Sequence, residues 1–147
     1  DEDKKNLIYS AYLHDIGKIN ISEEILMKTE PLTDEEWEIM KNHPQKAVEI
    51  INNINSLKDM VPIILQHHER YDGTGYPNNL KGEEINYLAR ILTVADSFDA
   101  MTSIRPYQQK KNYNQAINEL IEYSGTQFDS EIVTAFISAI QDRKSNI

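Results

Sequence analysis

The stretch that most limits what this chain can fold into runs from Ile85 to Met101. Ile85, Leu88, Ile91, Leu92, Ala95, Phe98 and Met101 recur with a 3.6-residue period, the spacing of an α-helix with one apolar face. A stripe of that length has to be buried against neighbouring elements, and the rest of the chain offers only helices to bury it. Residues 7–13 form an apolar, helix-compatible run that should stop near Gly17. Residues 114–123 and 129–142 read as two closing helices separated by Gly125. No strand-like alternation, internal repeat or low-complexity tract interrupts this pattern, so the expected class is all-α, a helical bundle.

Between these segments the punctuation is specific. Thr33 followed by Glu36 is a capping box with acids in the first helical turn, where the helix dipole favours them. Trp37, Met40, Ala47, Val48, Ile51 and Ile54 then follow at helical spacing, and Pro44 should kink or break the run just after His43. Residues 59–68 read as a short helix with Val61, Ile64 and Leu65 inward and Pro62 tolerated in its first turn. The segment DGTGYPNNLKG is loop by its Gly, Asn and Pro content.

At 147 residues the chain suits one domain, 1–147, with a core that needs no disulfide. It begins without Met, which reads as a fragment of a longer protein carrying an N-terminal sensory or regulatory domain. No apolar run approaches the roughly 18 residues of a membrane-spanning helix, no secretory signal opens the chain, and a cytoplasmic setting is expected. With no cysteine, a thiol nucleophile and zinc–thiolate sites are excluded, so any metal must be held by nitrogen and oxygen. A net charge of -9 argues against broad adhesion to DNA or anionic membranes. An anionic substrate therefore needs local cations, either bound ions or a few placed Lys and Arg side chains.

The four histidines all fall at unusual places. His14 precedes Asp15, His43 precedes Pro44, and His67 and His68 are adjacent. Each alone has a plain reading: His14 as a satisfied core or capping residue, His43 as ordinary surface. Together with Asp15 and Asp96 they read as a metal site. Neutral imidazole and carboxylate suit first-row ions such as Fe, Mn or Zn. Because a carboxylate has two oxygens, it can bridge two ions, and a pair of ions activates water and clamps the entering and leaving oxygens of a displacement at phosphorus.

HDIGK at residues 14–18, HP at His43 and Pro44, HHERYDGTGYP at residues 67–77 and RILTVADSFDAMTSIRPY at residues 90–107 together resemble the HD-GYP family of bacterial phosphodiesterases, within the HD phosphohydrolase superfamily. The likeness extends from about residue 7 to the final helix. It implies an HD-domain-type helical bundle with a GYP loop. It also implies two divalent ions, a third in some members, with Fe or Mn expected. His14, Asp15, His43, His67, His68 and Asp96 fall on the metal ligands, Asp15 on the bridging one, and Lys18 and Arg105 on the cations that hold substrate phosphates. The family's usual substrate is cyclic di-GMP, opened to pGpG and in some members cut to GMP; a diguanylate cyclase domain is a further partner to expect, and a homodimer is compatible.

Asp15 and Lys18 are accordingly the expected catalytic residues, and Lys18, Tyr76 and Arg105 the substrate-binding ones. The residues keep their plainer readings beside these. Lys18 also reads as a solvent-facing charge, Arg105 as a helix C-terminal cation, and Tyr76 as either a stacking partner for guanine or a ring packed on the fold. Asp99, a turn after Asp96, reads as a residue that orients a metal ligand, a proton donor or surface charge. Glu69 and Asp72 read first as loop and helix-end polar groups with an orienting role available. Family members also take a histidine from a helix upstream of the HD pair, and the residues before His14 contain none. One metal site is therefore expected to be incomplete in this chain, and a module that binds cyclic dinucleotide or a cyclase domain without turnover is the competing reading.

Overall fold

The structure, a computed structural model, describes residues 1–103 and 110–145, with side chains through residue 142. Among the described residues eight α-helices follow one another: α1 Glu2–Leu13, α2 Glu23–Leu26, α3 Asp34–Lys41, α4 His43–Ile51, α5 Val61–Leu65, α6 Tyr87–Thr102, α7 Tyr113–Glu122 and α8 Ser130–Ser145, with 3-10 turns at Ile16–Asn20, Asn55–Met60 and Gly82–Glu84. No strand forms among the described residues; a single bridge joins Ser124 and Phe128. No helix among them is long and apolar enough to cross a membrane.

The periodic stripe becomes α6, and two core clusters form along it. Val94 and Met101 pack with Ala116 and Leu120 of α7, Phe128, and Ile132 and Val133 of α8. Ala89 and Leu92 pack with Ile63 of α5 and Ile85, with Leu7 of α1 against them. A third cluster joins Ala47 and Ile51 of α4 to Met60 and Ile64, flanked by Leu13 and Ile16. The short α5 thus serves two cores, through Ile63 at 1% and Ile64 at 0% exposure. Each such burial stabilises by about 1.5–3 kcal/mol, which is how five residues hold a helix that would not persist alone.

Several boundaries differ from the expected ones. Thr33 and Glu36 form both halves of the capping box, but the following helix breaks before His43. α3 ends at Lys41, Asn42 caps both helices, and Pro44 lies in the first turn of α4, where its missing N–H costs nothing. The helix then ends at Ile51, so Ile54 is exposed rather than inward. The segment 59–68 is helical only over Val61–Leu65, and Ile63 replaces Val61 and Leu65 as the fully buried neighbour of Ile64.

Gly17 decides how the HD turn meets α4. It is buried in the 3-10 turn after α1, and a Cβ there would lie 2.0 Å from the His43 carbonyl oxygen and 2.5 Å from the Ala47 nitrogen. Both are backbone atoms that cannot step aside. The turn carrying His14 and Asp15 can therefore touch the start of α4, which carries His43, only with glycine at this position.

Candidate metal centre

The four histidines converge from three directions. His14 caps the C-terminus of α1, His43 opens α4, and His67 and His68 sit in the turn after α5. Leaving the helix frees the pair from the ~100° separation of consecutive helical residues. His43 stands 5.4 Å from the His67 ring and 4.9 Å from the His68 ring, centroid to centroid. One nitrogen or carboxylate oxygen from each of His43, His67 and His68 lies within 4.8 Å of the others, and the same holds for His14, Asp15 and His67. His67 belongs to both groups.

Asp15 stands between the groups. Its Oδ1 is 3.4 Å from His43 Nε2, and its Oδ2 is 3.6 Å from His14 Nε2 and 2.7 Å from Lys18 Nζ. Asp96, projecting from α6, brings Oδ1 to 3.5 Å from His14 Nε2. Asp96 is thus joined to the HD pair through His14.

The histidine tautomers are fixed by local backbone. Nδ1 of His14 lies 2.8 Å from the Ala11 carbonyl, that of His43 2.8 Å from Met40, and that of His67 2.6 Å from Ile64. A carbonyl only accepts, so each Nδ1 carries the proton; His43 and His67 then turn Nε2 lone pairs to the centre, while His14 Nε2 faces the carboxylates of Asp96 and Asp15, which favour a proton there in the absence of a cation. His43 Nε2 and His67 Nε2 consequently face one another at 3.4 Å, two acceptors with no proton to share unless one ring is charged. Burial works against that charge. It pushes His67 down to about 4, and burial followed by the charges of His67 and His43 pushes His68 down to about 2. His43 is also lowered, chiefly by burial. Neutral, converging lone pairs beside carboxylates form a donor set that a divalent cation satisfies, so these residues fit a metal centre.

The two acids and His14 behave differently. Burial alone would raise the Asp96 carboxyl, but the hydrogen bond and charge of His14, with His67 and His68 beyond it, hold it down to about 2. Burial likewise opposes ionisation of Asp15 and is outweighed by Lys18, His14 and His43, leaving its pKa lowered. His14 loses from burial and gains more from Asp96 and Asp15, leaving it raised.

Around this set lie residues that the sequence reading did not single out or placed differently. Thr93 Oγ1 donates to the carbonyl of His67 at 2.8 Å, sharing its proton with Ala89 at 2.9 Å, and so pins the histidine turn to α6. Glu69 is a buried anchor rather than a helix-end polar group: its carboxylate accepts from the backbone of Asn78 and Leu80 at 2.7 and 3.1 Å, clasping the loop after Pro77. Asp72 organises its own turn, accepting from Thr74 and Arg70. Asp99 is exposed and accepts from Ser103 at 3.1 Å; this geometry gives it no hold on the histidines, and Thr93 supplies the orienting contact instead. Tyr76 stacks on His68 with 4.9 Å between centroids and 21° between planes, so the ring packs against the centre. Arg105 lies outside the described residues. Thr93, one of two threonines on α6, carries no sequence signal; Glu69 adjoins the histidine pair, which is what opens an orienting role to it in the sequence.

Comparison with known proteins places these features in a family. The family profile described as HD domain matches residues 1–132. A cyclic di-GMP phosphodiesterase of Thermotoga maritima is 47% identical over 131 residues, 88% of this chain and 36% of that protein. The cyclic di-GMP phosphodiesterase response regulator RpfG of Xanthomonas campestris is 40% identical over 139 residues, 93% of this chain and 37% of its own length. A 3'3'-cGAMP-specific phosphodiesterase 3 of Vibrio cholerae is 36% identical over 140 residues, 95% of this chain and 30% of that protein. The chain spans about a third of the length of these relatives. Among solved structures, a cyclic GMP-AMP specific phosphodiesterase of V. cholerae, V-cGAP3, superposes with a TM-score of 0.74 at 18% identity, covering 98% of this chain and 40% of that one; this likeness is one of fold.

Proposed function

The chain belongs to the HD domain family as a member of its HD-GYP group, and on that premise we propose that it is the catalytic region of a metal-dependent phosphodiesterase that opens a cyclic dinucleotide, with cyclic di-GMP as substrate and pGpG or GMP as product. The observation that carries this reading is the set of imidazole nitrogens and carboxylate oxygens meeting around Asp15. One group of donors is His43, His67 and His68 with Asp15 at its edge; the other is His14, Asp15 and Asp96 with His67 in reach. Two ions, Fe or Mn, suit these nitrogen and oxygen donors. When bound, they supply Lewis acidity and a hydrolytic water at neutral pH.

The chain's own groups do the remaining work. Asp15, ionised and held between His14 and His43, offers one oxygen to each group. Lys18 Nζ, within 2.7 Å of Asp15, is the cation nearest the carboxylate and is positioned to meet a phosphoryl oxygen as charge grows there. Tyr76, whose hydroxyl is pushed upward by burial and then by Asp15 and Asp96, stays protonated and keeps a donor beside the centre. Arg105 would add a forked phosphate contact.

The test is direct: protein loaded with Mn(II) or Fe(II) under reducing conditions is incubated with cyclic di-GMP, and the products are separated. Linear pGpG or GMP is expected. Folded, metal-replete protein that binds the dinucleotide and releases no product would instead make this a binding module.

A further inference from the structure

Beside the metal centre, across Tyr76, lies a cavity of about 800 Å³ between α3, the start of α4 and the GYP loop. Its size falls in the range that takes a small organic ligand. Trp37 and Tyr76 both line it and meet in a T-shaped contact, with ring centroids 6.4 Å apart and planes at 78°. Tyr76 in turn stacks on His68, which also lines the cavity, so the cavity adjoins the metal centre directly. Glu38, Lys41 and Gln45 line its polar rim, and Lys41 and Glu38 pair at 2.5 Å.

Among the described residues, the ring contact of Trp37 is with Tyr76, outside the hydrophobic core. Trp37 belongs to none of the three core clusters and is 46% exposed on a helix with no fully buried residue. Helical spacing suggests an inward residue, yet the indole faces the cavity. An aromatic wall beside an acceptor and a donor is the chemistry that holds a flat heterocycle, its face on the indole and its edge toward carboxylate, ammonium or amide.

We propose that this cavity is a base subsite: it takes one purine of the cyclic dinucleotide while the scissile phosphodiester lies at the metal centre, and Trp37 is the stacking wall that positions the substrate. The inference deepens the phosphodiesterase reading and rests on it for the identity of the ligand. It makes Trp37, Glu38 and Lys41 the residues on which discrimination between guanine and adenine would depend.

Trp37 is the only tryptophan in the chain, so its fluorescence reports the subsite alone. Titrating the 147-residue chain with cyclic di-GMP should quench that fluorescence saturably, at the affinity calorimetry gives for the same ligand, and guanosine at high concentration should compete. Trp37→Ala should weaken calorimetric binding about 5- to 100-fold, the range of one base–aromatic stack, and Trp37→Phe should recover most of it. Calorimetric binding without quenching, unchanged affinity in Trp37→Ala, equal losses in the Phe and Ala variants, or no binding by wild-type protein would each overturn the subsite. Product analysis of the same wild-type samples judges the other reading separately. Quenching without hydrolysis leaves the subsite and removes the phosphodiesterase, whereas hydrolysis with a silent Trp37 does the reverse.

Discussion

At the scale of single residues, the centre depends on where each lone pair points. Three of the four histidines donate Nδ1–H to the carbonyl three residues before them, so a short helical or turn segment sets each tautomer without a dedicated partner. His67 is the residue both donor groups share. His67→Ala should therefore lower metal content in both groups, whereas His14→Ala should lower it in one, as read by elemental analysis after equilibration with Mn(II). The same loss in both variants would mean that the groups do not act separately. The residue types were legible in the sequence because all four histidines abut an acid, a proline or another histidine. The sharing of His67 was not, since it follows from the turn beyond α5, and no spacing rule gives the direction of a ring in a turn. Trp37 was misleading for a related reason: helical spacing placed it on an apolar stripe, while the face it occupies has no core to meet.

At the scale of elements, close approach and loop anchoring hold the centre together. Gly17→Ala places a methyl against the His43 carbonyl and the Ala47 nitrogen, so α4 and the HD turn must part. The expected cost is about 1–3 kcal/mol of stability, seen as a lower urea midpoint, together with reduced metal content because His14 and Asp15 move relative to His43. The GYP loop has its own tether. Arg70 donates to Thr74 at 2.9 Å, Gln127 at 2.9 Å and Asp72 at 3.3 Å, while Tyr71 and Asp72 donate their N–H groups to the carbonyls of Gln127 and Thr126. Arg70→Ala should speed amide exchange in residues 72–80 with little change in α6, and uniform acceleration across the chain would contradict this local role. Helix existence was readable from period and caps, as α6 and the Thr33 capping box show. The break expected at Pro44 forms, but at Asn42 and not after His43, because a proline in a first turn begins a helix. The shortness of α5 depends on two cores competing for five residues, which a one-dimensional pattern does not contain.

At the scale of the whole molecule, folding buries groups that take up a proton more readily when exposed. His67 and His68 are held well below the ordinary histidine value by burial, and His43 is lowered as well. Between about pH 4 and 6.5 the unfolded chain then binds protons that the folded chain refuses, so stability is full above pH 6.5 and falls as pH drops through this window. His14, raised by Asp96 and Asp15, opposes the trend but is one group against three. Protein stripped of metal should lose on the order of 1–2 kcal/mol for each of His67 and His68 between pH 7.5 and 5, read from urea midpoints; a midpoint that holds or rises would contradict the burial of neutral imidazoles. The central claim joins this centre to its chemistry, and one experiment reaches it most directly. Chelated protein is titrated with Mn(II), and bound metal and cyclic di-GMP turnover are followed in the same samples. Turnover that is absent without metal, rises with occupancy of the histidine–aspartate centre and disappears in His67→Ala is the predicted result. Turnover that survives chelation, or full occupancy with no linear product, would contradict it.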